Sequence, residues 1–331
     1  MRSQIEIFVE LGRRLATFGT TSESRELIAQ AISENGWFSE EDILRSIDAI
    51  RSMMLEPKRL DRWAKCYTPV SSPRRVAVIM AGNIPLVGFF DLMCTLLSGH
   101  HIYVKPSSKD RVLMQHIIAQ LRNIDPKIAI FDYVATENYD LAIATGGEDA
   151  NRYFSEHFAK TKSLLRSSRH SIAVLDGSES SEELEGLAID ITAYSGLGCR
   201  SVAMVFYPAS TSPVFIEREA SCRKLTQTLR VRKAMLRMQN KPYSDYGGYI
   251  ATEGDEFSTS LGEVTLCKYS SIEEVYKWLN EHKESIQCVV SHIDSLNQHL
   301  PFGRTISFGR AQYPTLDDYA DGVDTMAFLT E

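Results

Sequence analysis

The chain has 331 residues, of which 44% are hydrophobic and 24% are charged, a composition typical of a globular protein. Its net charge of −7 at pH 7 argues against nucleic acid as a main partner, because phosphate backbones recruit basic surfaces. No apolar run is as long as a membrane span, and the first residues lack the apolar region of a signal peptide. We therefore expect a cytoplasmic protein of about two domains.

The six cysteines and eight histidines form no metal-binding or disulfide pattern. The sequence has no C-x-x-C pair and no H-E-x-x-H motif, and the adjacent pair His100-His101 would point to opposite faces of a strand. We expect reduced thiols and no bound metal.

Residues 1–70 are predicted to form a helical N-terminal segment. Apolar residues recur at the helical period, and Ser39 before two glutamates is typical of a helix N-cap. The predicted helices cover residues 4–18, 23–34 and 40–53.

From Arg75 onward, short apolar strands alternate with helices, a pattern that predicts an α/β fold with parallel sheets covered on both faces. Gly99 is typical of the residue that follows a helix end. The predicted strands cover 76–80, 102–105, 141–144, 172–175, 202–207, 264–268 and 286–291. The predicted helices cover 84–98, 109–121, 149–158, 182–194 and 271–280, with further helix between 215 and 240.

Cys199 is the candidate nucleophile because it lies in a glycine turn, Gly196-Leu197-Gly198-Cys199-Arg200-Ser201, between a predicted helix and a predicted strand. Glycines before the cysteine allow a sharp turn and the close approach of a ligand. Reactive cysteines favour such partly exposed positions. The alternative is an inert packing thiol, which is the usual role of a free cysteine and the one expected of Cys94, Cys267 and Cys288 in their apolar runs.

Polar residues follow the first two strands of the α/β part. Asn83 is either the N-cap of the next helix, with Pro85 in its first turn, or an amide donor at the carboxyl end of a parallel strand, where open sheets bind ligands. Lys105 either reaches a ribose or phosphate or points into solvent. The serines after it, Ser107 and Ser108, can cap the following helix.

Thr145, Gly146 and Gly147 follow the next strand and precede a helix with acids in its first turn. Small residues before a helix N-terminus can approach a pyrophosphate, although the acids there also complement the helix dipole. These motifs on successive strand ends indicate a ligand-binding edge.

In this order, the motifs resemble those of the LuxC-like acyl-CoA reductases of the aldehyde dehydrogenase superfamily, over roughly residues 72–331. The segments that carry the resemblance are Ala81–Leu86 (oxyanion asparagine), Val104–Ser107 (adenosine-ribose lysine), Ala144–Gly147 (phosphate-side turn), Ser171–Glu179 (strand reaching the nicotinamide), Gly196–Ser201 (nucleophile turn) and Pro301–Gly303 (late family signature).

The resemblance implies an aldehyde dehydrogenase-like fold with a helical segment at 1–70, a dinucleotide-binding domain at 71–187, a catalytic domain at 188–303 and a C-terminal return segment at 304–331. It implies Cys199 and Asn83 as catalytic residues. The cofactor-binding residues it implies for NADP(H) are Lys105, Ser107, Thr145, Gly146, Gly147, Leu175 and Asp176.

The implied activity is the NADPH-dependent reduction of a fatty acyl thioester to the aldehyde through a cysteine thioester intermediate. The implied partner is acyl-CoA or an acyl-carrier or acyl-transfer protein. Where hydrolytic family members place a glutamate base, this chain has Val174-Leu175-Asp176-Gly177, which fits thioester exchange and leaves Asp176 open as a substitute base. Two other functions stay open: a cysteine-dependent acyltransferase or thioesterase, and a non-catalytic subunit that binds a nucleotide or partner.

The segment from Arg223 to Arg237 is rich in arginine and lysine. It could meet the phosphates of coenzyme A, but charge runs on helices usually face water. The chain is short for the superfamily, and the sequence leaves open whether it forms a homodimer.

Overall fold

The computed structural model describes residues 3–300 and 303–331, so Pro301 and Phe302 of the late family signature lie outside the described residues. It divides into two compact units. The first contains Met1–Asn35, Glu40–Ser168 and Pro314–Glu331, and the second contains Gly36–Ser39 and Arg169–Tyr313. None of the helices in the described ranges combines the length and apolar character that crossing a membrane demands.

The elements of both units are numbered along the chain. The strands are β1 (Arg75–Ile79), β2 (His101–Lys105), β3 (Ile130–Asp132), β4 (Leu141–Thr145), β5 (Lys162–Arg166), β6 (His170–Val174), β7 (Val202–Pro208), β8 (Ser244–Asp245), β9 (Ile250–Glu253), β10 (Glu263–Tyr269) and β11 (Ile286–Val290). The α-helices are α1 (Gln4–Leu15), α2 (Ser22–Glu34), α3 (Glu40–Ala49), α4 (Pro57–Ala64), α5 (Phe89–Leu97), α6 (Arg111–Ile124), α7 (Glu148–His157), α8 (Ser181–Thr192), α9 (Arg223–Met238), α10 (Ile272–His282) and α11 (Thr325–Thr330).

The first unit is built on a parallel sheet with the strand order β3-β2-β1-β4-β5. Ile79, at the carboxyl end of β1, lies in register with Lys105 of β2 on one side and Ala144 of β4 on the other. The chain builds β2 and β3 on one side of β1 and then returns to build β4 and β5 on the other. The carboxyl edge at such a reversal is where open α/β sheets hold ligands.

The N-terminal helices belong to the first unit, where α1 and α2 contact α6. α1 begins with a capping box, in which Ser3 and Glu6 each accept a hydrogen bond from the other's backbone N–H. Its apolar face is buried, which secures the segment to the unit. The helix predicted at 40–53 ends at Ala49 and continues as a π-helical turn, Ile50–Met54.

The second unit is built on a sheet with the order β11-β6-β7-β10-β9-β8, parallel except for the pair β8–β9. Apolar residues of β6, β7 and β11 are buried on both faces of the sheet, as expected for central parallel strands. One core cluster joins Leu187 and Ile191 of α8 to Val205 of β7, and a second joins Val275 and Leu279 of α10 to the same sheet.

The predicted α/β fold is confirmed, and each predicted strand is present within two residues of its predicted ends. The helix predicted at 84–98 begins only at Phe89, because Leu86 takes a left-handed φ of 57° that a helix cannot continue through. Gly99 ends that helix with φ 89°, as predicted. The sequence analysis did not predict α4, α11, β3, β5, β8 or β9.

The two units divide the chain between residues 168 and 169, whereas the sequence places a domain boundary at 187. β6 and the first half of α8 therefore lie in the second unit, and the C-terminal residues from Pro314 lie in the first. The assignment of one domain to cofactor binding and of the other to catalysis stays a prediction.

Candidate active site

The turn before Cys199 is sharper than the sequence predicts. α8 ends at Thr192, and Tyr194, Ser195 and Gly196 follow in left-handed conformations with φ of 54°, 56° and 74°. For a residue with a side chain this conformation costs roughly 1–2 kcal/mol, so the surrounding structure holds the first two in place. Gly196 accommodates the turn, as predicted.

Three hydrogen bonds stabilise this turn within the second unit. The Ser195 Oγ lies 2.8 Å from the Ser221 Oγ, just before α9. The Ser201 hydroxyl, on the other side of Cys199, donates to the Ala193 carbonyl at 3.2 Å and accepts from the Gln312 amide at 3.2 Å. The turn is thus held at both ends, which fits a strained segment at a functional position.

Cys199 itself is half-buried, whereas Cys94 and Cys288 are buried as expected of packing thiols. Burial raises the pKa of the Cys94 thiol well above its ordinary value, and desolvation also raises the pKa of the half-buried Cys267. The neighbouring Arg200 guanidinium donates to the Ala311 carbonyl at 3.3 Å.

Ser171, at the amino end of β6, fixes the backbone of Cys199. Its hydroxyl donates to the Cys199 carbonyl at 2.8 Å and accepts from the Cys288 backbone N–H at 3.2 Å. The strand register shifts on both sides of this serine, between Ser171 and Ile172 against β7 and between Ile286 and Cys288 in β11. Such bulges re-aim side chains beside active sites. Ser171 was not predicted as a site residue, because its only signal in the sequence is a hydroxyl next to the apolar residues of β6.

Leu175 and Asp176 lie at the opposite end of the second sheet from Cys199. They follow the carboxyl end of β6, whereas Cys199 precedes the amino end of the parallel neighbour β7. The five residue-to-residue steps from Ser171 to Asp176 span about 16 Å of extended chain. The structure therefore separates Asp176 from the thiol it would serve as a substitute base.

The Asp176 carboxylate has other partners. It accepts from the Ser178 N–H and hydroxyl at 2.8 and 2.7 Å and lies 3.2 Å from the His292 Nε2. The His292 Nδ1 lies 2.7 Å from the Glu183 carboxylate, and these hydrogen bonds raise the pKa of His292. Potential ligand atoms of Asp176, Glu179 and His292 lie within 4.8 Å of one another, which is close enough to share a metal ion. The absence of a bound metal therefore stays a prediction.

Asn83 lies in the loop between β1 and α5 of the first unit and is half-buried. It is not a helix cap, since α5 begins at Phe89 and its N-cap is Gly88. The loop is held from two sides: the Ser46 hydroxyl donates to the Pro85 carbonyl at 2.7 Å, and the buried Asp110 carboxyl accepts from the Leu86 N–H at 2.8 Å. The sequence analysis also missed Asp110, which follows the capping serine by three residues.

Lys105 is exposed at the carboxyl end of β2, and its ammonium lies 5.8 Å from the centre of the Tyr133 ring. The Ser107 Oγ accepts from the Lys109 N–H at 3.3 Å and so caps the following turn, as predicted. Gly82 of the Asn83 loop packs on Ser107 so closely that a Cβ on that glycine would lie 2.5 Å from the serine side chain.

Thr145, Gly146 and Gly147 lie at the carboxyl end of β4, across β1 from Lys105. Gly147 is the N-cap of α7 and has no side chain to cap the helix, and a Cβ added to it would meet no described atom within 4 Å. Uncapped N–H groups beside open space can accept an anionic group. The first unit thus brings Asn83, Lys105, Ser107 and this turn to one edge of its sheet.

A comparison with known protein families identifies the family to which this chain belongs. The model of the family described as Acyl-CoA reductase (LuxC) matches residues 20–241. The chain belongs to this family. The match includes Asn83, Lys105, the Thr145–Gly147 turn and Cys199.

This LuxC family member is similar to curated long-chain acyl-protein thioester reductases. It is 22% identical over 215 residues to reductase 2 of Photobacterium leiognathi, covering 59% of this chain and 44% of the relative. It is 21% identical over 244 residues to the enzyme of Photorhabdus laumondii, covering 68% of this chain and 50% of the relative. The chain thus spans about half the length of these curated relatives.

Solved structures show that this LuxC chain has the aldehyde dehydrogenase fold. The NAD+ complex of Mycobacterium tuberculosis aldehyde dehydrogenase aligns with a TM-score of 0.64 at 11% identity, over 92% of this chain and 76% of that one. The NAD+ complex of the Bacillus cereus enzyme aligns with a TM-score of 0.61 at 14% identity, over 89% and 73%. The predicted fold and family are therefore confirmed.

Proposed function

We propose that the protein reduces a fatty acyl thioester to the aldehyde, with NADPH as reductant and Cys199 as nucleophile. The observation that carries the proposal is a half-exposed cysteine on a strained, hydrogen-bonded turn in a chain of the acyl-CoA reductase family. The names of the curated relatives, long-chain acyl-protein thioester reductases, support a fatty acyl group carried by a protein or by coenzyme A as the substrate.

In this mechanism the Cys199 thiolate attacks the acyl carbonyl, because the thiolate is the nucleophilic form of cysteine. The new C–S bond replaces the bond to the donor thiol, which leaves and takes up a proton. The Cys199 backbone N–H donates to the carbonyl oxygen as its charge develops, and the resemblance to the family implies the Asn83 amide as a second donor. Loss of one such donor lowers the rate by about 10²–10³-fold.

The carboxyl edge of the first sheet fits a dinucleotide. Lys105 and Ser107 lie on one side of the β1 end, where they would hold the adenosine ribose. The Thr145–Gly147 turn lies on the other, with open space at Gly147 for a phosphate. Leu175 and Asp176 follow the far end of β6, about 16 Å from its amino end beside Cys199, so the predicted nicotinamide contact at these two residues does not fit hydride transfer to Cys199.

When bound, NADPH supplies the hydride that reduces the carbonyl carbon of the enzyme thioester. The Cys199 N–H donates again to the oxygen of the resulting hemithioacetal. Its collapse breaks the C–S bond, which releases the aldehyde and returns the Cys199 thiolate. Asp176 contacts Ser178 and His292 at the far end of β6. A carboxylate at that position is too far from Cys199 to activate a water molecule there. The arrangement therefore fits thioester exchange rather than hydrolysis.

The test is NADPH consumption with palmitoyl-CoA, together with mass spectrometry of the acylated protein. We expect Cys199→Ala to abolish both NADPH oxidation and the acyl adduct. The matched control, Cys267→Ala, removes another half-buried thiol and should leave both intact. Release of thiol without NADPH oxidation would identify a transferase or thioesterase instead, and neither signal across several chain lengths would identify a non-catalytic subunit.

A further inference from the structure

α9 is a basic helix in an acidic chain. Six of its sixteen residues are arginine or lysine and none is acidic, although the chain has a net charge of −7. Two of the six pair within the second unit: Arg232 Nε lies 2.5 Å from Glu263, and Lys233 Nζ lies 2.8 Å from Asp245. These two are structural. Arg237 also donates to the Tyr243 hydroxyl at 2.9 Å, and the Lys224 ammonium lies 5.9 Å from the centre of the Trp37 ring.

Three exposed arginines of α9 form one stripe. Arg223, Arg230 and Arg237 are spaced by seven residues, or two helical turns, so they project from the same side of the helix. The stripe is about 21 Å long at 1.5 Å per residue. In the described part of the chain, neither Arg223 nor Arg230 has an acidic partner.

An apolar stripe runs beside the arginines. Val231, Met235 and Met238 are spaced by four and three residues, and 61%, 45% and 85% of their surfaces are exposed. Exposed apolar side chains grouped beside charged ones are typical of interaction sites, and methionine is common where such a surface must adapt to its partner.

This helix also adjoins the turn that carries the nucleophile. The Ser195 Oγ lies 2.8 Å from the Ser221 Oγ and 3.5 Å from the sulfur of Cys222, the N-cap of α9. A partner bound along α9 would therefore lie next to the turn that carries Cys199.

We propose that the α9 face, defined by Arg223, Arg230, Arg237, Val231, Met235 and Met238, docks an acidic protein that carries the acyl thioester. This inference rests on the proposed function, since a protein-borne substrate must bind near the nucleophile. A protein partner explains the face better than coenzyme A does. The phosphates of coenzyme A lie at one end of a small molecule, whereas the arginine stripe extends along the whole helix and has an apolar stripe beside it.

The test compares two donors of one acyl group, palmitoyl-CoA and an acyl carrier protein loaded with palmitate, using the full chain. The variant is the double charge reversal Arg223→Glu/Arg230→Glu. The matched control, Lys277→Glu/Lys283→Glu, makes the same charge change at an exposed residue of α10 and at the exposed residue that follows this helix, in the same unit. Reductase kinetics are measured with each donor, and binding of the fluorescently labelled carrier is measured directly by anisotropy.

We expect the double reversal to raise the KM for the loaded carrier and the Kd of the labelled carrier by about tenfold or more, because it replaces attraction to an acidic partner with repulsion between like charges. The kinetics with palmitoyl-CoA should stay unchanged, as should every constant of the α10 control. Met238→Ser should weaken carrier binding without changing its salt dependence.

Unchanged carrier binding in the double reversal would overturn the docking proposal, as would equal losses with both donors. Binding of the wild-type chain to phosphatidylglycerol vesicles but not to the carrier would assign the face to a membrane surface instead. If the wild-type chain binds the carrier through α9 but oxidises no NADPH with either donor, the docking site stands and the proposed reductase activity fails.

Discussion

At the residue scale, the structure shows that Ser171 holds the backbone of the proposed nucleophile, Cys199. A nucleophile is effective only when its backbone is fixed, because small displacements from the reacting geometry lower the rate steeply. The Ser171 hydroxyl fixes the Cys199 carbonyl at 2.8 Å and is itself held by the Cys288 N–H. Ser171 is thus a positioning residue for the proposed nucleophile.

We expect Ser171→Ala to slow acylation of Cys199 by about 10- to 100-fold while leaving the affinity for NADPH unchanged. The measurement is the rate of acyl-enzyme formation by mass spectrometry, with alkylation of Cys199 by iodoacetamide as a second readout. Ser291→Ala is the matched control, because Ser291 is also buried and donates to the carbonyl of Val174 at the other end of β6. Equal acylation rates in the two variants would contradict the positioning role.

At the scale of elements, the sequence predicted the strands with long apolar runs and missed those without them. β5 begins with a lysine and ends with an arginine that is buried by pairing with Asp91, so its sequence lacks the apolar run of its neighbours. β3 has three residues, too few for a pattern. Because β5 was not predicted, the sequence analysis assigned β6 to the cofactor-binding domain. In the structure, β6 belongs to the sheet of the second unit.

The sequence predicts the part of the candidate site whose position depends on strand order alone. The carboxyl ends of β1, β2 and β4 carry Asn83, Lys105 and the Thr145–Gly147 turn, and adjacency of parallel strands brings these ends together. The left-handed residues before Cys199 and the hydroxyl of Ser171 depend on tertiary hydrogen bonds, which a local pattern does not encode.

The loop between β1 and α5 has a pH-dependent anchor in Asp110. Its carboxyl accepts from the Leu86 N–H with one oxygen, while its other oxygen is buried without a hydrogen-bond partner among the described residues. Burial raises the pKa of Asp110 to about 8. An unfolded aspartate has a pKa of about 3.9. The folded state therefore retains a proton that the unfolded state loses, and the contribution to stability falls as the pH rises from about 4 to about 8.

We expect Asp110→Asn to flatten this dependence, because the amide keeps an oxygen for Leu86 and does not ionise. The wild-type free energy of unfolding should fall relative to that of the variant by up to about 1.4 kcal/mol per pH unit in this window. Urea unfolding at pH 5, 6.5 and 8 measures the difference. Parallel curves for the two proteins would show that Asp110 is ionised throughout.

At the scale of the whole molecule, residues Pro314–Glu331 pack back into the first unit, far in sequence from the strands that they contact. Arg166 Nη1 donates to both carboxylate oxygens of Asp91 at 2.6 and 2.7 Å, and its Nη2 donates to the Thr325 hydroxyl at 2.7 Å. The Leu329 carbonyl lies 2.7 Å from the His100 Nε2. Residues from the last helix thus satisfy buried polar groups at the core of a sheet that is formed far earlier in the chain.

This arrangement predicts that Thr325→Val destabilises the first unit even though it conserves side-chain volume. The substitution leaves a buried guanidinium N–H without an acceptor, which costs about 1–3 kcal/mol. Thr330→Val is the matched control, since the Thr330 hydroxyl donates to the Met326 carbonyl one turn earlier in its own helix. Thermal unfolding should show a lower Tm for Thr325→Val alone. If both variants melt together with the wild type, the buried arginine does not depend on the last helix, and the first unit is complete without it.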